Sequence, residues 1–430
     1  MIDRSELLTY RAIFQRELND DILTYWMANA PEKTGDGFYG AVDLQNCPVP
    51  GANKACVLNA RILWTFSAAA AFPRAAARSE AAVTDEQRAA YAGMARRAYA
   101  VLTRHFADEL YGGFFMELTC DNRPANDVKH TYAQAFALYA LCMYYAFEPS
   151  DPVLRQMQQL YALLEQKAKD PLHAGYGEAF SRDWQPIHEN RMADNDEPRS
   201  MNTHLHVLEA YAALYRVWPD PAVGQSLKDL LLLFLDRIIR LEGPLGVFFD
   251  LDFHETEPSK GICSFGHDIE ASWLLWEAAN ILNDPLILER MWTVSLRMLD
   301  AVDRDGLDKD GGLFLESTRF GSHLRTNKHW WLQAETLVGL MNAYQLTGES
   351  RYWEKLKLTW NFIDRFVIDH QGGEWFTKVN RHGEPFRVES PDDPSPYYRN
   401  DWKIDPWKCP YHNGRACLEM IRRIDSLLAD

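Results

Sequence analysis

Apolar residues run through this chain in long blocks that no polar face interrupts. ARILWTFSAAAAF (60–72), QAFALYALCMYYA (134–146), HVLEAYAALYRVW (206–218) and EASWLLWEAANIL (270–282) are apolar on most sides of a helix, and a helix of that kind is buried all round. Between such blocks lie amphipathic stretches with charged faces, such as DEQRAAYAGMARRAYAVLTRHF (85–106). Glycine-rich clusters punctuate the alternation: GDGFYG (35–40), GGFF (112–115), GYGEAF (175–180), GVFFD (246–250), GGLF (311–314) and GGEWF (372–376). Each closes a helical stretch and opens a short extended segment. Their spacing of roughly 60–75 residues is that of a repeated supersecondary unit.

The repeat is also written in polar letters. KHTYAQAFAL (129–138) and KHWWLQAETL (328–337) share one phrase, and Lys54…Asn59, Lys129…Gln134, Lys328…Gln333 and Lys408…Asn413 share one Lys-to-amide spacing. Two apolar blocks lack it. NTHLHVLEAY (202–211) and GHDIEASWLL (266–275) fit the alignment with His206 and Glu270 in the amide column. The next column then reads Ala60, Ala135, Val207, Ala271, Ala334 and Gly414, small residues that imply close helix approach. Six buried helices alternating with six amphipathic ones predict an all-α (α/α)6 barrel, with six inner helices, six outer helices and short β-hairpin loops, in a single domain over residues 1–430. An open solenoid needs polar capping repeats, and neither terminal unit has that character. In a closed ring the inner helices all start at one mouth, where free N–H groups and positive dipole ends collect.

The formal charge of -16 and pI near 5.3 argue against nucleic acid or an anionic membrane as partner. The longest apolar run, LLLLFL at 230–235, is closed by Asp229 and Asp236, well short of a membrane span. The amphipathic N-terminus lacks the apolar core of a signal peptide. Seven cysteines without a C-x-x-C imply reduced thiols, no zinc site and a cytoplasmic location.

At the predicted mouth stand Arg61, Tyr132, Gln134, His204, His206, His267, Asp268, Glu270, Trp330, Trp331, Gln333, Glu335, Trp407 and His412. His206, His267 and His412 occupy equivalent turns of three inner helices. Imidazole gives and takes a proton near neutral pH, so such a set suits acid–base work. His267 and Glu270, three apart, are placed to meet, with the carboxylate orienting the ring and favouring its charged form. Trp331 and Trp407 offer stacking faces for the apolar side of a sugar ring, with Trp330 the packing member of its pair. His204 and His206, two apart on a helix, point to different sides, and H-E-x-x-H is absent, so neither a metal nor any other cofactor is expected. Asp268, Glu270 and Glu335 keep a two-carboxylate hydrolytic site open. The excess of histidine favours proton transfer at a carbon beside a carbonyl.

NARILWTFS (59–67), KHTYAQAFALYAL (129–141), EPRSMNTHLHVLEAYAALYRVWP (197–219), FGHDIEASWLL (265–275), KHWWLQAETLVG (328–339), GGEWF (372–376) and PYHNGRACLE (410–419) together resemble the cellobiose 2-epimerases of the N-acylglucosamine 2-epimerase family, over nearly the whole chain. The resemblance implies the (α/α)6 barrel and a metal-free inversion of the C2 hydroxyl at the reducing-end sugar of a β-1,4-linked disaccharide. It implies roles residue by residue. His206 assists ring opening. His267 and His412 work from opposite faces of C2 through a cis-enediolate. Glu270 supports His267, and Arg61 stabilises the intermediate's oxygen. Tyr132 and Asn202 bind sugar oxygens, Asp194 assists near the ring-opening side, and Trp331 and Trp407 stack. The partner expected is a small sugar, and the chain itself a monomer or weak homo-oligomer. The segment VESPDDPSPYYRNDWKIDP (388–406) is longer and richer in Pro and Asp than the family pattern, and its place before Trp407 and His412 positions it to roof the pocket. Other members act on free mannose or glucose, or on N-acetylglucosamine, and the same enediol reprotonated at C1 gives an aldose–ketose isomerase. A glycoside hydrolase and a non-catalytic sugar-binding protein are the alternatives from other classes.

Overall fold

The computed structural model describes residues 2–72, 83–188, 196–318, 321–388 and 399–429. Its helices in chain order are α1 (Arg4–Arg16), α2 (Thr24–Asn29), α3 (Cys56–Ala71), α4 (Asp85–Val101), α5 (Thr131–Phe147), α6 (Asp151–Leu163), α7 (Met201–Val217), α8 (Pro221–Leu233), α9 (Phe265–Leu282), α10 (Pro285–Asp305), α11 (Trp330–Thr347), α12 (Ser350–Phe362) and α13 (Tyr411–Ala429). The odd-numbered helices from α3 to α13 form the inner ring. Each packs on the next, and α13 packs on α3, which closes the circle. The open solenoid is thereby excluded. Outer helices α4, α6, α8, α10 and α12 each lie on the inner helix before them, and α1 lies on α13.

Burial follows the hydrophobic pattern. From Cys56 to Ala70 every residue of α3 is buried, whereas α6 and α10 bury only an apolar stripe. The outer helices begin where the sequence writes start signals. Thr84 and Gln87 form a reciprocal capping box on α4, and Asp220 and Asp284 cap α8 and α10 ahead of a proline, an arrangement that satisfies N–H groups the helix cannot.

Hairpins carry the chain from each outer helix back to the mouth. The two-residue strand before an inner helix pairs antiparallel with a strand of the next unit: Lys54–Ala55 with Glu117–Leu118, Lys129–His130 with Ala179–Phe180, Arg199–Ser200 with Phe248–Phe249, Cys263–Ser264 with Glu316–Ser317, and Lys328–His329 with Lys378–Val379. Val42–Asp43 pairs with the strand Trp402–Ile404 and ties the first hairpin to the last. No described helix is long and apolar enough to cross a membrane.

Candidate active site

The Lys-to-amide phrase turns out to face the hairpins. Lys129 Nζ bonds buried Asp108 at 2.9 Å, Lys328 Nζ lies 2.8 Å from Asp310 and 3.1 Å from Asp308, Lys54 Nζ 2.6 Å from Glu32, and Lys408 Nζ 2.7 Å from Glu374. The amides clasp neighbouring backbone or hairpin groups. Gln134 accepts from Phe114 N and donates to Phe114 O, and Gln333 does the same with Leu313. Glycine makes the clasp possible. Gly113 has φ +70°, and a Cβ there would fall 2.8 Å from Gln134 Oε1.

This corrects the register of two inner helices. Arg199 takes the lysine's place by pairing with Asp170 at 2.5 Å, and His204 Nε2 accepts from Tyr176 N at 3.0 Å as the glutamines do. Asp268 likewise accepts from Leu245 N at 2.7 Å. The clasping column is therefore Asn59, Gln134, His204, Asp268, Gln333 and Asn413, and His206 and Glu270 stand two residues beyond it. The small column that follows becomes Ala60, Ala135, Leu205, Ile269, Ala334 and Gly414, so close approach holds at four helices rather than five. Two residues along a helix turn the side chain by about 200°, which exchanges the hairpin side for the barrel axis.

In the corrected register the axial column reads Arg61, Phe136, His206, Glu270, Glu335 and Arg415, all buried. His267 and His412 precede it by one helical turn on the same face. Arg415 is its hub. Its guanidinium donates to Glu209 and Tyr411 through Nη1, and to Glu270 at 2.8 Å and Glu335 at 2.6 Å through Nη2. It also lies over the Tyr411 ring at 4.3 Å. Glu335 Oε1 holds His412 Nδ1 at 2.6 Å, and Glu209 Oε2 holds His206 Nδ1 at 2.9 Å. Arg61 donates to the Tyr132 hydroxyl at 2.8 Å and to the Trp407 carbonyl at 3.3 Å.

Glu270 does not pair with His267. Their three-residue spacing permits contact, but Arg415 captures the carboxylate, and His267 Nδ1 bonds Ser264 Oγ at 2.7 Å instead. Nor is His267 shifted toward its charged form. Burial, followed by the nearby His206, lowers its pKa to about 3. Burial, with Arg61, Arg415 and the other two histidines adding to it, holds His412 well below the usual imidazole range. Burial raises Glu270 to about 7, and Glu335 adds to that rise; burial also raises Glu335, although Arg415 opposes it. The site thus holds His267 and His412 neutral beside Glu270, whose carboxyl exchanges its proton near neutral pH.

Trp331 packs its ring 4.9 Å from His267 and 5.6 Å from His412, while Trp330 is buried under Lys408. Gly266 leaves room for Trp331, since a Cβ would come 2.5 Å from its ring. Trp407 meets the Tyr132 ring at 5.5 Å, and Tyr132 meets His206 at 5.0 Å. Asn202 keeps a buried Oδ1 that accepts no hydrogen bond among the described residues. Asp194 and most of the Pro/Asp-rich segment lie outside the described residues. Sequence reasoning placed Glu335 at the mouth only as one carboxylate of the hydrolytic alternative, and missed Glu209, Tyr411 and Arg415. A register drawn on Arg199 would have found Arg415 in the axial column, and the spacing from His206 to Glu209 repeats that from His267 to Glu270.

Two other features compete for attention. Glu270, Glu335 and His412 bring three ligand-type atoms within 4.8 Å, yet Arg415 Nη2 bonds both carboxylates, so a cation would have to displace a guanidinium. At the opposite end of the barrel a cavity of about 820 Å³ is lined by Trp64, Tyr139, Ala212, Trp273 and Leu418, with Glu209 and Arg415 at its floor. Its rim charges neutralise one another, as Arg11 with Asp425, Arg216 with Glu277 and Arg422 with Glu419. Volume marks that end. Convergent, unshared hydrogen-bonding groups mark the mouth.

Known proteins share this chain's sequence and fold. The profile of the N-acylglucosamine 2-epimerase (GlcNAc 2-epimerase) family matches residues 37–399. A cellobiose 2-epimerase of Bacteroides fragilis is 37% identical over 410 residues, covering 95% of this chain and 97% of its own. The structure of cellobiose 2-epimerase from Spirochaeta thermophila superposes with a TM-score of 0.84 at 36% identity, covering 99% of both chains. A D-mannose isomerase, at 18% identity and a TM-score of 0.79 over 95% of this chain and 97% of its own, shares the fold.

Proposed function

The chain belongs to the N-acylglucosamine 2-epimerase family, and from that premise we propose that it is a cellobiose 2-epimerase, inverting C2 of the reducing-end glucose or mannose of a β-1,4-linked disaccharide. The observation that carries this reading is the axial cluster: three histidines from three helices, two of them backed by carboxylates, round one buried arginine. Similarity to cellobiose 2-epimerases over nearly the whole chain supports it.

His206 assists opening of the pyranose to its aldehyde. His267 and His412, on α9 and α13, address the two faces of C2. One removes the C2 proton, the electrons pass into a cis-enediolate, and the other returns a proton to the far face. Desolvation keeps both rings neutral, ready to act as base. When His412 is the acid, its proton is replaced from Glu335 through the 2.6 Å bond between them. Arg61, with Tyr132, faces the developing oxygen charge, which a preorganised cation stabilises strongly in a dry site. Trp331, and with it Trp407, stacks on the sugar. The free Asn202 acceptor takes a sugar hydroxyl, and Asp194 assists near the ring-opening side. Residues 1–430 act as one unit, and no metal enters any step.

The test is NMR of cellobiose with the enzyme in D2O, with product chromatography on cellobiose, mannobiose and mannose. Epimeric disaccharide carrying deuterium at C2 is expected. Released monosaccharide would favour a hydrolase. Turnover of mannose alone would favour the monosaccharide isomerase, and binding without exchange a sugar-binding protein.

A further inference from the structure

Glu209 has two oxygens with different owners. Oε2 meets His206 Nδ1 at 2.9 Å, while Oε1 accepts from the Tyr411 hydroxyl at 2.6 Å and from Arg415 Nη1. The side chain is 4% exposed. Burial, the largest single influence, would raise its pKa, but the charge of Arg415 together with the contacts to His206 and Tyr411 outweighs this and the carboxyl lies below its ordinary value. An ionised carboxylate only accepts hydrogen bonds, so Nδ1 of His206 carries a proton, and in the neutral ring Nε2 is left bare.

We propose that Glu209 is the positioning residue for ring opening, holding His206 in the tautomer whose bare Nε2 faces the sugar. This rests on the epimerase reading above. In the step it serves, Nε2 takes the proton of the anomeric hydroxyl. The O1–H electron pair becomes the second bond of the C1=O1 carbonyl, and the C1–O5 pair leaves onto O5. O5 then receives the same proton from Nε2, so one proton moves from O1 to O5 and His206 ends as it began. With the proton on Nε2 instead, the first transfer has no acceptor. The i, i+3 spacing on α7 brings the two side chains together, and Arg415 fixes which way the carboxylate faces.

The variant Glu209→Gln makes the idea testable, because an amide is not symmetric. Arg415 Nη1 can only donate, so the amide oxygen must turn to Arg415 and Tyr411. Its NH2 then faces His206 Nδ1 and, being a donor, drives the ring proton to Nε2. Nitrogen-15 NMR of the imidazoles, with the His206 signals assigned from His206→Asn, should show Nδ1–H in the wild type and Nε2–H in E209Q. Epimerisation of cellobiose should fall on the order of 10²-fold, the worth of a positioned base. An unchanged tautomer, or E209Q within about threefold of the wild-type rate, overturns the proposal. If E209Q does not fold, Glu209→Asp serves. Its shorter side chain stays with Arg415, so the Nδ1–H signal should lose its hydrogen-bonded shift, and an unaltered signal overturns the proposal. A wild-type protein inactive on cellobiose would instead overturn the epimerase reading, with the tautomer still reporting on Glu209.

Discussion

Two columns of residues, two positions apart on the same six helices, have opposite characters. The clasping column and its cations repeat: lysine or arginine to a hairpin carboxylate, amide or its substitute to neighbouring backbone or a hairpin side chain. The axial column does not repeat. It holds two arginines, two glutamates, one histidine and one phenylalanine, with contacts that differ from helix to helix. Every unit needs its hairpin fastened, so that chemistry recurs. One pocket is shared by all six units, so each supplies a different part. Repetition therefore marks the scaffold, and departure from it marks the site.

The largest expected effect lies in the axial set. His267→Ala and His412→Ala should each lose epimerisation by about 10²–10⁴-fold, with little change in folding. Each should still exchange the C2 proton of the one epimer that faces the surviving imidazole, read as deuterium incorporation in separate experiments on the two epimers. Near wild-type epimerisation in either variant, or loss of exchange from both epimers with binding intact, would break the assignment.

A clasp should do the reverse. Lys129→Ala leaves Asp108 buried with Arg182 as its remaining cation, so the cost should stay below the roughly 3–5 kcal/mol of a buried charge left with no partner. Denaturant midpoints should fall while kcat of the folded enzyme holds. A kinetic loss larger than the stability loss would erase the distinction between the columns.

His204 sharpens it with pH. Burial lowers its pKa to about 3, so the folded protein leaves it neutral while the unfolded chain protonates it below about 6.5. The unfolded state then binds more protons, and wild-type stability falls as pH drops from 6.5 toward 3. Glutamine, the residue of the same column in α5 and α11, clasps without titrating. Relative to wild type, His204→Gln should gain about 2 kcal/mol between pH 7 and pH 5, measured by denaturant titration at both. An equal difference at the two pH values would mean that His204 stays protonated inside. The smallest effect is expected from EDTA, which should leave turnover unchanged because Arg415 already serves Glu270 and Glu335. Loss of activity restored by a divalent ion would reverse that view.

The barrel and its period were legible because they rest on local signals: all-round apolar helices, amphipathic stretches between them, glycine at each hairpin. His206, His267, His412, Arg61 and Trp331 were legible as candidates through resemblance and through their places at helix starts. Their partners were not. The pairing of His267 with Glu270 rested on helical spacing, which says who can meet and not who does.

By itself, then, the sequence determined the helices, their alternation, the hairpin punctuation and the residue types available at one mouth, since each follows from periodicity and from groups near in the chain. Only the tertiary structure decided which column faced the axis and that the ring closes through α13 on α3. It also decided that a single guanidinium from α13 would collect carboxylates from α7, α9 and α11. The reason is geometric and electrostatic. A two-residue change of register reverses inside and outside without altering composition. In a buried site the carboxylate's partner is the strongest donor within reach, and that donor lies 145 residues away from Glu270.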